Sequence, residues 1–198
     1  VAVEEPKENA DGETPEENQK ETVTVDFEAL KKINREIIAW IRIPDTGIDY
    51  PVVQGADNEY YLNHTFKKTE HVAGSIFLDK DNSPDFSNRK SILYGHNMKD
   101  GSMFQGLHKY ENEQYLEIHN KVYLYLPDGQ TLIYSVIKCG YVSANSDTFW
   151  LGEPVETRQL LLSTCGSDSS KRLVLFCELP EESEESETNG EGISMEVF

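Results

Sequence analysis

Apolar positions along this chain recur with two different periods. Leu30, Ile33, Ile37, Ile38 and Ile41 follow helical spacing and predict a helix over 26–41. Asp26 is its natural N-cap, and Glu28 lies in the first turn, where the helix dipole favours an anion. Pro44 and Gly47 end the pattern. Beyond them the apolar runs shorten and turn signals multiply. Strands are predicted over 48–53, 75–79, 90–94, 115–120, 121–126, 130–142, 159–164 and 172–179. Pro51 is expected near a sheet edge, because proline cannot donate to a ladder. Short helical turns are expected at 58–63 and 103–110, and Pro127-Asp128-Gly129 marks a hairpin. Many short strands with few helices predict a mostly antiparallel β-barrel or sandwich. No internal repeat is present.

Charge changes this picture at the ends. The 198 residues hold 36 acids against 18 Lys and Arg, for a net charge of −18. Residues 181–198 carry seven acids and no base, and residues 1–22 are also rich in Glu and poor in aromatics. Such segments bury too little apolar surface to offset the entropy of ordering. The division expected is therefore an acidic disordered segment over 1–22, a folded domain over 23–180 and an acidic disordered tail over 181–198. A net charge of this sign argues against nucleic acid or an anionic lipid surface as partner, since both require a basic face. No apolar run reaches the ~18 residues of a membrane span.

Three cysteines, Cys139, Cys165 and Cys177, exclude a complete disulfide framework. Their surroundings lack zinc spacing. Cys139 and Cys177 sit inside apolar strand-like runs and read as small buried hydrophobes. Cys165 ends the run Leu160-Leu-Leu-Ser-Thr-Cys165 and precedes a polar loop, Gly166 to Lys171, that contains Asp168. A thiol at the mouth of a strand is well placed to react.

A nucleophilic thiol needs a proton shuttle and a group to hold an oxyanion. His96 follows a strand-like run, and Gly95 beside it allows a tight backbone. Arg172 opens the strand after the Cys165 loop, so two antiparallel neighbours would bring Cys165 and Arg172 together. A guanidinium there can lower the thiol pKa and donate to a developing oxyanion. The same residues also admit plainer readings: a turn histidine, a surface ion pair and a half-buried small residue. His64, His71, His108 and His119 lack a comparable setting and read as surface or packing residues. Asp79, Asp81, Ser83 and Asp85 alternate like the start of a calcium loop. Pro84 stands where its glycine belongs and Lys90 where its bidentate Glu belongs, so no metal is assigned.

Longer motifs sharpen the choice. Tyr94-Gly95-His96-Asn97-Met98, Asp100-Gly-Ser-Met-Phe104, Leu162-Ser-Thr-Cys165 and Arg172-Leu-Val174 are similar to those of the sortases, class B in particular. Upstream, Leu30-Lys-Lys-Ile-Asn34, Trp40-Ile-Arg-Ile-Pro44, Thr46 to Gln54, Asn58-Glu-Tyr-Tyr-Leu62 and Gly74 to Asp79 resemble the same class. The resemblance implies an eight-stranded β-barrel with an N-terminal helix and short connecting helices. It implies a cysteine transpeptidase on the outer face of a Gram-positive membrane, held by an N-terminal anchor absent from this sequence, and working without a cofactor. Cys165 would attack a sorting signal of a surface protein, His96 would protonate the leaving amine, and Arg172 would hold the oxyanion. The thioacyl enzyme would pass to a peptidoglycan cross-bridge amine or a pilin lysine. Asn58, Leu62, Ser163 and Thr164 would line the signal groove. Class B members usually carry a long helical insertion between the sixth and seventh strands. Here that connection is only Ser143 to Arg158, with Phe149 and Trp150, which leaves an Asn-Pro-type and a Leu-Pro-type signal both open. A thiol peptidase that mainly hydrolyses its thioester and a catalytically silent cell-wall binding module are the competing readings.

Overall fold

The computed structural model describes residues 24–152, 154–165 (the backbone alone at Cys165) and 170–180. Both acidic ends and Asp168 lie outside these residues. The elements run in the order α1 (Phe27–Ile33), β1 (Ile37–Ile43), β2 (Ile48–Val53), a 3₁₀ turn (Tyr60–Leu62), β3 (Ile76–Leu78) and β4 (Lys90–Tyr94). A longer 3₁₀ helix (Phe104–Glu111), α2 (Glu113–Ile118), β5 (Lys121–Tyr125) and β6 (Thr131–Ser143) follow. A last 3₁₀ turn (Asp147–Phe149), β7 (Arg158–Cys165) and β8 (Lys171–Leu179) complete the chain.

The eight strands close into a barrel in the order β1-β2-β3-β4-β7-β8-β6-β5, with β5 pairing back to β1. Most neighbours are antiparallel, as expected; β2–β3 and β4–β7 are parallel. Leu160 and Leu162 of β7 point into the barrel core, and Leu161 joins Ile92 and Val174 in an outer cluster under Phe149 and Leu151. With both faces covered, the strand reads as an unbroken apolar run rather than an alternation. Lys90 donates to the Trp150 carbonyl (3.3 Å), and Arg89 donates to the Val155 (3.2 Å) and Glu156 (2.6 Å) carbonyls, so the β6–β7 connection is tied down on β4.

Three local expectations need correction. The helix predicted over 26–41 keeps its start, where Asp26 accepts from the Ala29 amide (2.9 Å), but ends at Ile33. Asn34 ends it. Its buried amide donates to the Tyr61 hydroxyl (2.8 Å) and the Phe66 carbonyl (2.9 Å) and accepts from the Glu36 amide (3.0 Å), in an extended backbone. Ile37, Ala39, Ile41 and Ile43 then alternate inward as β1. The isoleucines fit both periods, and their β-branching favours the strand. The strand predicted over 115–120 is instead α2, because Asn112 caps it by accepting from the Gln114 (2.9 Å) and Tyr115 (3.3 Å) amides. Pro51 is not on an edge, since a closed barrel has none. It pairs with Trp40, and the short β3 engages β2 only from Val52 onward. Among the described residues no helix is long and apolar enough to cross a membrane.

Candidate active site

Register decides which residues meet at the barrel mouth. β4 and β7 run parallel with Tyr94 opposite Ser163, and the Gly95 amide continues the ladder by donating to the Ser163 carbonyl (3.1 Å). His96 and Cys165 each lie two residues past that pair, so parallel strands deliver both to the same end. On the other side of β7, Cys165 is the register partner of Arg172 on β8. His96, Cys165 and Arg172 thus occupy three adjacent strand ends, spaced by roughly 5 Å per strand. Arg172 donates from Nη1 to the Lys171 carbonyl (3.2 Å).

Gly95 is required where it stands. A Cβ there would lie 2.5 Å from Ile76 Cδ1 and 2.7 Å from the Phe104 ring. The imidazole of His96 reaches across to the 3₁₀ turn Tyr60–Leu62, with Nε2 2.6 Å from the Leu62 carbonyl. A carbonyl can only accept, so Nε2 carries a proton. Among the described residues, the Leu62 carbonyl is an acceptor that orients this ring. Gly74 packs under that turn with φ +56, and a Cβ would come within 2.4 Å of the Tyr61 carbonyl oxygen and 2.6 Å of that of Leu62. Gly74→Ala is therefore expected to lower Tm by roughly 3–10 °C, read by calorimetry, from an L residue held at positive φ against backbone. An unchanged Tm would show that the turn gives way freely.

A cavity of about 280 Å³ opens beside these strand ends, lined by Asn58, Leu62, Phe77, Tyr94, Gly95, His96, Ala144, Phe149, Ser163, Thr164 and Arg172. All four residues expected in the groove border it. Their side chains differ in what they can offer. Asn58 is already engaged, donating to Asp79 Oδ2 (2.9 Å) and accepting from the Lys80 amide (2.8 Å). Ser163 and Thr164 are only 2% and 1% exposed, and Thr164 Oγ1 has no hydrogen-bond partner among the described residues. Tyr94, Phe77 and Phe149 were not anticipated. Their rings form one wall, with Tyr94 centred 5.3 Å from Phe77 and 6.4 Å from Phe149. Tyr94 donates to Asp79 Oδ2 (2.9 Å); burial, and then the Asp79 charge, push its hydroxyl well above the usual tyrosine range, so it stays protonated.

Asp79 itself is 7% exposed, and its other oxygen accepts from the Asp81 amide (3.0 Å). Asp79 is thus tied into a protein network with Asn58, Tyr94 and the Asp81 amide. Cys139 and Cys177 are free thiols on β6 and β8. Burial pushes the Cys139 thiol up to about 11 and that of Cys177 higher still, so neither supplies a thiolate near neutrality. His64 stacks on Tyr60 (4.0 Å) and His119 on Tyr115 (4.2 Å), in packing roles.

The Sortase domain family matches residues 41–180. Sortase B of Listeria monocytogenes is 49% identical over 90 residues, 46% of this chain and 37% of that protein. The matched segments span 37–41% of the length of the two curated relatives. Among solved structures, Bacillus anthracis sortase B in complex with AAEK1 superimposes with a TM-score of 0.67 at 35% identity, covering 77% of this chain and 83% of that one. The Staphylococcus aureus sortase B–substrate complex gives 0.68 at 28% identity, covering 79% and 85%. With a family match across most of its length, and sortase B structures that superimpose on its barrel, the chain belongs to the sortase family, class B.

Proposed function

We propose that the chain is a cysteine transpeptidase acting on a sorting signal of a surface protein at the outer face of a Gram-positive membrane, and that residues 23–180 are its working domain. The observation that carries this reading is the shared register of three strand ends, which brings the backbones of His96, Cys165 and Arg172 to one barrel mouth. The Cys165 thiolate attacks a backbone carbonyl carbon of the signal, and Arg172 steadies the resulting oxyanion. The C–N bond then breaks, His96 gives its proton to the leaving amine, and a thioester remains. An amine, from a peptidoglycan cross-bridge or a pilin lysine, attacks the thioester, and the sulfur leaves as thiolate while the amine's proton returns to His96. The cavity beside these residues takes the signal. Asn58, Leu62, Ser163 and Thr164 contribute to its lining, the latter two through their position under the floor rather than through exposed side chains.

The test is incubation with Asn-Pro and Leu-Pro signal peptides, with and without an amine acceptor, read by mass spectrometry. An amide product is expected. Hydrolysis alone would favour a peptidase, and no cleavage of any peptide would favour a silent binding module. Within this assay Arg172→Ala is expected to lower kcat about 10²–10³-fold, the usual cost of one oxyanion donor. Arg172→Lys should recover only part of it, because an ammonium lacks the planar fork of the guanidinium. Full activity of Arg172→Ala would remove Arg172 from the reaction.

A further inference from the structure

We propose that His108 and Glu111 are positioning residues for His96 and act on it through Asn97; this rests on the transpeptidase reading. Neither residue touches the cavity. Both sit on the 3₁₀ helix Phe104–Glu111, which is pinned to the barrel by buried Phe104, Leu107 and Tyr110. Gly106 lets that helix close on the β1–β2 turn, where a Cβ would lie 2.4 Å from the Thr46 carbonyl oxygen. The helix is therefore a rigid reference against which the segment after β4 can be held.

Among the contacts that hold that segment, two come from this helix. The Phe104 amide donates to the His96 carbonyl (2.9 Å). The Asn97 side chain lies 2.9 Å from His108 Nε2, and His108 Nδ1 lies 2.5 Å from Glu111 Oε1. The chain extends to β6, where the Tyr141 hydroxyl donates to Glu111 Oε2 (3.3 Å). Proton bookkeeping fixes the direction. An ionised Glu111 only accepts, so Nδ1 of His108 carries the proton. In the neutral ring Nε2 is then an acceptor, and the Asn97 amide must present its NH₂ group. In this arrangement the Glu111 carboxylate bears on Asn97 through His108.

Asn97 is the residue after His96, so its side chain and the His96 carbonyl together fix the peptide that carries the imidazole. Loss of the His108 contact removes one of the holds on that peptide. Effective proton transfer demands geometry good to better than an ångström, and a misplacement of about 1 Å can cost about 10²-fold. Substrate binding, in a cavity that His108 does not line, should change little.

The experiment compares His108→Ala, His108→Gln, Asn97→Ala and the Asn97→Ala/His108→Ala double variant in steady-state signal-peptide turnover, with Tm measured for each. His108→Ala should lower kcat roughly 10- to 100-fold, with KM held within about twofold. His108→Gln should restore most of it, because its amide oxygen can accept from Asn97 while its NH₂ donates to Glu111. In the Asn97→Ala background, His108→Ala should cost nothing further, the non-additivity expected of residues acting as one unit. A second readout is independent of turnover: the ring resonances of His96 in the NMR spectrum should move or broaden in His108→Ala and return in His108→Gln. Unchanged kcat in His108→Ala, a glutamine variant no better than alanine, multiplying losses, or a His96 resonance indifferent to His108 would each overturn the proposal. Lack of turnover in the unmodified chain would strike the transpeptidase reading instead, and the His96 resonances would still decide this one.

Discussion

Cys165→Ala is expected to remove signal-peptide turnover by about 10⁴-fold or more, the scale on which loss of a covalent nucleophile falls. The backbone of Cys165 closes β7 as the partner of Arg172, so alanine keeps the ladder and the barrel. The signal peptide should still bind the cavity with Kd within a few-fold of the unmodified chain, because Leu62, Tyr94 and Phe149 remain. Loss of chemistry with retained binding separates a nucleophile from a structural cysteine. A complementary measurement is mass labelling by a thiol-reactive signal analogue. Label should appear on Cys165 and not on Cys139 or Cys177, whose thiols burial holds in the neutral form. Turnover by Cys165→Ala within tenfold of the unmodified chain would end the thioacyl mechanism for this protein.

His96→Ala is the second large effect. General acid–base help contributes typically ~10²–10⁴ in rate, or about 3–5 kcal/mol of barrier, and kcat should fall by that factor with Tm little changed. His96 is half-buried and its Nε2 donates to the Leu62 carbonyl, so truncation strands one carbonyl at a solvent-reachable site where water can replace the donor. The pattern of loss is informative. If His96 protonates the leaving amine, an activated thioester substrate, whose sulfur leaves without a proton, should suffer far less from the variant than an amide does. Equal losses on both substrates would assign His96 to some other step.

Much of this site is legible in the amino-acid order, and what is not has definite physical causes. Asp26 announces α1 because an Asp N-cap is a local signal, and the hairpin at Pro127-Asp128-Gly129 likewise joins β5 to β6. The adjacency of Cys165 and Arg172 follows from one short loop between two antiparallel strands. The isoleucines of β1 mislead because they satisfy both a period of two and one near 3.6, and only the buried amide of Asn34 decides between them. Asp79 spaces like a metal ligand yet is consumed by Asn58 and Tyr94, a choice visible only once β3 and β4 are side by side. The Leu62 carbonyl that orients His96 leaves no trace in residue identity, since every residue has one.

The parallel pairing of β4 with β7 has a further consequence, in time rather than in space. Tyr94 and Ser163 are 69 residues apart in sequence, and everything between them, including the hairpin of β5 and β6, must be in place on another part of the barrel. Hairpins form in about 1–10 μs, whereas contacts of such long sequence separation bear a larger closure entropy and belong to chains that fold in roughly milliseconds to seconds. The backbones of His96 and Cys165 are therefore brought together among the last events of folding. On the transpeptidase reading, a nascent or partly unfolded chain holds its cysteine apart from its histidine, and turnover is expected only once the barrel has closed.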